Sequence, residues 1–205
     1  MGKTFTVVMA RNAESFSFYY QENLDRWASE GKSITFFDPE KEVPDLTDCD
    51  LLYLPGGYPE KHLEVLVKME QTRQRIRDYA ERGGTIFAEC GGMMYLCQSI
   101  VTDERQRVGA SAGIGEFPMC GVLPYKITAR KTDRKLSLGY RRFILDGKEY
   151  RGHEFHYTQF LDEVPQSIVQ VYDAKDNLVP TPVFRYKNVL ASYTHLYNIG
   201  DIAGL

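Results

Sequence analysis

The sequence predicts an α/β fold: a doubly wound, mostly parallel sheet with an antiparallel extension. Three observations predict it. Short strands in the first half are apolar throughout, as in Leu51-Leu52-Tyr53-Leu54, which suits strands buried on both faces. Helical patterns separate those strands, giving the βαβ alternation of a parallel sheet. The second half changes to alternating, β-branched and aromatic runs punctuated by turn signals.

The elements follow in order. Phe5-Thr6-Val7-Val8-Met9 is β-prone, and Phe18 to Glu30 carries Tyr20, Leu24, Trp27 and Ala28 at helical spacing until Gly31 stops it. Ser33-Ile34-Thr35-Phe36-Phe37 is a second strand, closed by Asp38-Pro39, and Leu51 to Leu54 a third, closed by Pro55-Gly56-Gly57. A helical stretch from Pro59 to about Arg82, broken near Glu70, leads through Gly83-Gly84 to the buried strand Thr85-Ile86-Phe87-Ala88. From Pro118 to Tyr193, segments such as Arg142-Phe143-Ile144-Leu145 and Val189-Leu190-Ala191-Ser192-Tyr193, with turns at Asp146-Gly147 and Asp176-Asn177, are expected to extend the same sheet. No Ser/Gly/Pro-rich linker interrupts the chain, so residues 1–205 are expected to form a single domain, with ligands at the carboxyl ends of the strands.

Composition excludes several classes. The chain is 43% hydrophobic and 26% charged with a net charge of -3, and its densest basic stretch, Arg130 to Lys135, contains Asp133. That is too weak a basic footprint for a nucleic-acid surface. No apolar run reaches the ~20 residues of a membrane helix. The four cysteines, Cys49, Cys90, Cys97 and Cys120, form no CxxC pair and no zinc-like spacing, so no metal and no disulfide framework is expected. A cytoplasmic location follows from that cysteine usage.

The chemistry concentrates in Ala88-Glu89-Cys90-Gly91-Gly92-Met93-Met94, where a buried strand runs through Cys90 into a helix. A turn this tight strains the nucleophile's backbone and tolerates small residues only on either side, here Ala88 and Gly92. A helix N-terminus would favour the thiolate, and the Gly91 N–H would face a developing oxyanion. The bland alternative is a buried structural cysteine ahead of a glycine turn; that reading suits Cys49, Cys120 and Cys97, the last expected on one face of the following helix. In Leu54-Pro55-Gly56-Gly57-Tyr58, the paired glycines after a strand can expose a second amide.

A cysteine nucleophile needs a base. His62 falls in a polar helix and reads as solvated. His153 and His156 lie in Arg151-Gly152-His153-Glu154-Phe155-His156-Tyr157, and His195 ends the strand that begins at Val189. Spacing leaves His195, His153 and His156 open.

Taken together, the Cys90 elbow, Leu54-Pro55-Gly56-Gly57-Tyr58-Pro59-Glu60, the Arg151–Tyr157 segment, Phe18-Tyr19-Tyr20-Gln21-Glu22-Asn23-Leu24 and the ending Ala191-Ser192-Tyr193-Thr194-His195-Leu196 resemble the glutaminase domain of cobyrinic acid a,c-diamide synthases. The resemblance spans almost the whole chain in order. It implies a class I (triad-type) glutamine amidotransferase-like, flavodoxin-like fold, with Cys90 as nucleophile, His195 as base and glutamine as substrate. The oxyanion would rest on Gly57 and Gly91, with Gly56 in the same loop. It further implies an ATP-binding synthetase domain, in cis or in trans, that holds ATP, Mg2+ and the corrin acceptor, leaving no cofactor on this domain.

Two departures stand out. Class I glutaminases place a glutamate two residues after the histidine, where this chain has Tyr197; Glu154 and Glu89 are the candidate orienting acids, each with a structural alternative, such as a Glu154 pair with Arg151 or Arg141. No G-x-x-x-x-G-K-S/T phosphate loop is present, so the 205 residues are not expected to activate a carboxylate. A cobyric acid synthase-type glutaminase, another cysteine hydrolase of the peptidase or deglycase type, and a non-catalytic binding module on the same fold are the alternatives.

Overall fold

The structure is a computed structural model describing residues 2–104, 115–200 and 202. The first half contains β1 (Thr6–Ala10), α1 (Gln21–Ser29), β2 (Ser33–Phe37), β3 (Leu51–Leu54), α2 (Leu63–Lys68), α3 (Glu70–Glu81), β4 (Ile86–Glu89) and α4 (Gly91–Leu96). Then follow β5 (Cys97–Val101), β6 (Glu116–Pro118), β7 (Leu123–Thr128), β8 (Ser137–Leu145), β9 (Lys148–His156), β10 (Gln159–Leu161), β11 (Val171–Tyr172), β12 (Leu178–Val179), β13 (Val183–Tyr186), β14 (Val189–Ser192) and β15 (His195–Leu196).

The main sheet has the order β13-β14-β4-β3-β1-β2. All its pairings are parallel except that of β13 with β14. Every residue of β3, β4 and β14 is buried, because alternate side chains enter two different cores. Val8, Leu52, Leu54, Ile86 and Ala88 face the core shared with α2, α3 and α4. Val7, Met9, Leu51, Tyr53 and Phe87 face the one shared with α1. Wholly apolar strands are the sequence signature of that double coverage.

Helix α1 buries Leu24 and Trp27, whose indole meets the Tyr53 ring edge-on at 5.6 Å. Its buried Asn23 ties the end of the chain, donating to Leu196 O at 3.1 Å and accepting from Ile199 N at 2.9 Å. The expected helical stretch from Pro59 divides at Met69, beside the predicted break.

The second half departs from the expected arrangement. The antiparallel extension of the main sheet is β13, while β14 joins it parallel to β4. The other late strands build two further sheets, β10-β7-β5-β6 and β12-β11-β8-β9-β15. The reason lies in the pattern: β8 and β9 alternate between exposed and buried residues, so they can cover a core with one face but cannot sit inside a sheet buried on both. The Asp146-Gly147 turn joins them with φ of +50° and +77°, as a two-residue hairpin turn requires. Cys97 also differs from expectation: α4 stops at Leu96 and Cys97 opens β5, buried, with its sulfur 3.3 Å from Met93 O. Among the described residues, no helix is long and apolar enough to cross a membrane.

Candidate active site

Cys90 directly follows β4 and sits at φ +49°, ψ -113°, a strained conformation for a side-chain-bearing residue. Two things hold it there. Its N–H donates to Ser192 O at 2.8 Å, extending the β4–β14 ladder by one residue. The turn is also packed shut: a Cβ on Gly92 would stand 2.0 Å from Leu54 O, and one on Gly91 2.8 Å from both Gly57 O and Pro59 Cδ. Of the two small residues predicted around the nucleophile, Gly92 is thus required by backbone meeting backbone.

The loop after β3 lies against that turn. Gly57 has φ +145°, and a Cβ there would strike Ser15 O at 2.4 Å. Gly56 forms a two-way backbone pair with Phe18, each N–H donating to the other's carbonyl at 3.0 Å. The Gly56 amide is therefore already used, and of the two loop glycines Gly57 is the one to be considered as a donor. Gly56 serves differently: a Cβ there would lie 2.3 Å from His195 Cε1, so the missing side chain is the space the imidazole occupies.

His195 begins β15, one short step beyond β14, and pairs with His153 on β9. Its ring packs against Phe18, with centroids 4.3 Å apart. Cys90, His195, His153, Gly57, Phe18 and Phe155 share a cavity of about 130 Å³. A second cavity of about 260 Å³ also reaches Cys90 and is lined by Glu60, His156 and Tyr157. The larger cavity of about 530 Å³ between Tyr140, Arg142, Arg151 and Tyr197 contains neither Cys90 nor His195.

Burial pushes the Cys90 thiol up, and Glu60, Glu89 and Glu154 push it the same way, against the Gly91 N–H. Burial lowers His195 to about 3, with His153 and His156 adding to the effect and Glu154 opposing it. The resting pair is therefore a neutral thiol and a neutral imidazole. Burial thus works against the thiolate expected from the helix N-terminus, and α4, with six residues, builds little dipole to oppose it.

Neither candidate acid hydrogen-bonds to His195. Glu154 accepts from Arg141 Nε at 2.6 Å, bonds His156 Nε2 at 2.6 Å and accepts from Thr181 Oγ1. Glu89 accepts from Leu196 N at 2.9 Å and from the Tyr53 hydroxyl, and burial raises its carboxyl to about 8. Nδ1 of His195 is buried without a hydrogen-bond partner among the described residues. His156 is stacked on Tyr193 with centroids 3.5 Å apart, and its two ring nitrogens are engaged by Thr158 O and Glu154. His62 is half-buried just before α2, with its ring nitrogens 3.3 Å from Glu14 and 3.2 Å from Glu40, where the sequence suggested a solvated side chain. Phe18, expected inside a helix, instead closes the cavity; no local sequence signal announces that role. Among the described residues, no group of three or more His, Cys, Asp or Glu could hold a metal.

Residues 6–201 match the family described as the CobB/CobQ-like glutamine amidotransferase domain. The chain is 36% identical over 200 residues to a cobyrinate a,c-diamide synthase of Thermoplasma volcanium, covering 92% of this chain and 40% of that protein. It is 34% identical over 194 residues to a hydrogenobyrinate a,c-diamide synthase of Rhizobium meliloti, covering 91% of this chain and 42% of that protein. The chain thus spans less than half the length of these relatives. Among solved structures, it is similar to a glutamine amidotransferase from Thermotoga maritima, with a TM-score of 0.59, 17% identity, and coverage of 95% of this chain and 76% of that one. PurLQS from Thermotoga maritima gives a TM-score of 0.60 at 14% identity, covering 98% and 92%. At those identities the likeness concerns the fold.

Proposed function

This chain belongs to the CobB/CobQ-like glutamine amidotransferase family, and from that premise we propose that it is the glutaminase half of a corrin a,c-diamide synthase, with Cys90 and His195 as its catalytic pair. One observation carries the assignment of the pair. Cys90, strained at φ +49°, and His195 emerge beside the carboxyl ends of adjacent strands and line one cavity, with the Gly57 and Gly91 backbones packed together next to them.

In this reading His195 takes the Cys90 proton as the sulfur attacks the side-chain carbonyl carbon of glutamine. The oxyanion rests on the N–H groups of Gly57 and Gly91. His195 returns the proton to the leaving nitrogen, the C–N bond breaks, and ammonia departs from a glutamyl thioester. Water then attacks the thioester, losing its proton to His195, and glutamate and the Cys90 thiol are regenerated. Because the imidazole starts neutral, it is ready to accept the first proton. It is oriented by Phe18, Gly56 and the β9 ladder in place of an acid two residues downstream.

The ammonia serves an ATP-using synthetase portion, in cis or in trans, that carries ATP, Mg2+ and the corrin carboxylates, so this half needs no cofactor. The names of the relatives, and their greater length, support that division. A cytoplasmic site of action suits its four unpaired cysteines.

The test is covalent. A glutamine-like diazoketone should add one label to this chain at Cys90, found by mass spectrometry, and Cys90→Ala should take none. Glutamate release, measured with the ATP-using partner loaded, should vanish in the same variant. Labelling that persists without Cys90, or glutamate release that survives its loss, would sink the assignment.

A further inference from the structure

The mechanism above uses the amide end of its substrate and leaves the other end unread. Glu60 lies on the short 3-10 turn Pro59–Lys61, and Pro59 packs against the Gly91 backbone, so the turn is fixed beside the nucleophile. Glu60 and Cys90 line the same cavity of about 260 Å³. After burial itself, Glu60 is the strongest influence acting on the Cys90 thiol.

Oε2 of Glu60 is buried and has no hydrogen-bond partner among the described residues. An unsatisfied buried carboxylate oxygen is costly and calls for an explanation. Neither nearby cation hydrogen-bonds to that oxygen. Lys61 lies over the Tyr58 ring at 4.4 Å and Arg134 over the Tyr157 ring at 5.1 Å. Burial raises the Glu60 carboxyl, with Lys61, Arg134 and His62 opposing it from a distance.

We propose that Glu60 determines specificity for the free amino acid: its unpartnered oxygen receives the α-ammonium group of glutamine while the side-chain amide sits at Cys90. A short aliphatic chain separates those two ends of glutamine, and one cavity holds both protein groups. The inference rests on the glutaminase reading and adds to it which glutamine is accepted. Free glutamine is taken; glutamine whose nitrogen is acylated, as within a peptide, is refused, because it leaves the buried carboxylate oxygen without a charged hydrogen-bond donor.

The experiment measures binding without turnover. In Cys90→Ala protein, calorimetry should show glutamine bound and N-acetylglutamine bound roughly tenfold to a hundredfold more weakly, the range for a hydrogen bond to a charged group. Adding Glu60→Gln should weaken glutamine by the same factor and leave N-acetylglutamine unchanged, with an unaltered melting temperature as the fold control. Should Glu60→Gln fail to fold, the comparison of the two ligands on Glu60-containing protein still decides. Equal affinity for the two ligands, unchanged glutamine affinity in Glu60→Gln, or no glutamine binding at all overturns the proposal. Ammonium-dependent binding by a protein that never releases glutamate with its partner would sink the glutaminase reading alone.

Discussion

The backbone N–H of Cys90 donates to the carbonyl of Ser192 at 2.8 Å, which joins the strained turn to the strand leading into His195. The two groups of the pair are therefore positioned by a sheet ladder, and substitutions that disturb the surrounding backbone have directions that can be worked out.

Position 90 should favour glycine over alanine. A φ of +49° with ψ near -113° costs a residue bearing a Cβ about 1–3 kcal/mol, while glycine's extra freedom in the unfolded chain costs it about 0.5–1 kcal/mol. Cys90→Gly is expected to be more stable than Cys90→Ala by about 1 kcal/mol in urea denaturation, with both inactive. The reverse order would mean that the turn is relaxed in solution.

Two glycines of the site should fail in different ways. Gly92→Ala drives a Cβ into backbone, 2.0 Å from Leu54 O, and is expected to cost about 3 kcal/mol or more of stability. Gly56→Ala meets a movable side chain, His195, and is expected to cost about 1 kcal/mol of stability but on the order of a hundredfold in glutaminase rate. Melting temperature and rate measured on both variants check the contrast.

Stability should fall toward both acid and alkaline pH for two separable reasons. His195 has a folded value near 3 against an ordinary 6.5, so between those limits the unfolded chain binds more protons and acidification destabilises. Glu89 has a folded value near 8 against 4.5, so its contribution is complete below 4.5 and is lost as pH rises through 8. Each effect is of order a few kcal/mol. His195→Asn should flatten the acid side of the stability profile. Glu89→Gln, which can keep partners for Tyr53 and Leu196, should flatten the alkaline side and stabilise the protein above pH 8. Denaturant titrations from pH 4 to 9 will show whether each variant loses its own limb.

Glu154 should prove to be a folding residue. Removing it takes the ion-pair partner from the half-buried Arg141 and hydrogen-bond partners from the buried His156 and Thr181. Glu154→Ala is expected to cost about 3–5 kcal/mol, the penalty for breaking a buried ion pair. A loss below 1 kcal/mol would show the network to be incidental.

Strands β3 and β4 were legible because burial on both faces leaves its mark in the residues themselves: Leu51 to Leu54 can be nothing but apolar between two cores. The elbow was legible for a related reason, since Gly91 and Gly92 record contacts that forbid a Cβ. The placing of β8 and β9 was not. An alternating strand states that one face is covered, but not which element covers it. The Phe18–Gly56 pairing was hidden for the same kind of reason, because backbone hydrogen bonds between distant segments leave no preference for a residue type. Cys97 was misplaced by a short distance, since nothing in Met93 to Cys97 fixes where the helix ends. Among the histidines, local spacing could not separate His195 from His153, which sit side by side across two strands and share the cavity.

The Phe18–Gly56 pair has a consequence for the site. The sulfur and the imidazole come from neighbouring strand ends, and pulling them apart would mean tearing the middle of the molecule. The glycine loop, by contrast, is tied to residues 14–18 by three backbone hydrogen bonds, two between Phe18 and Gly56 and one from Tyr58 N to Glu14 O. A displacement of that stretch would reach the site at two points at once, the Gly57 backbone and the His195 ring that leans on Phe18.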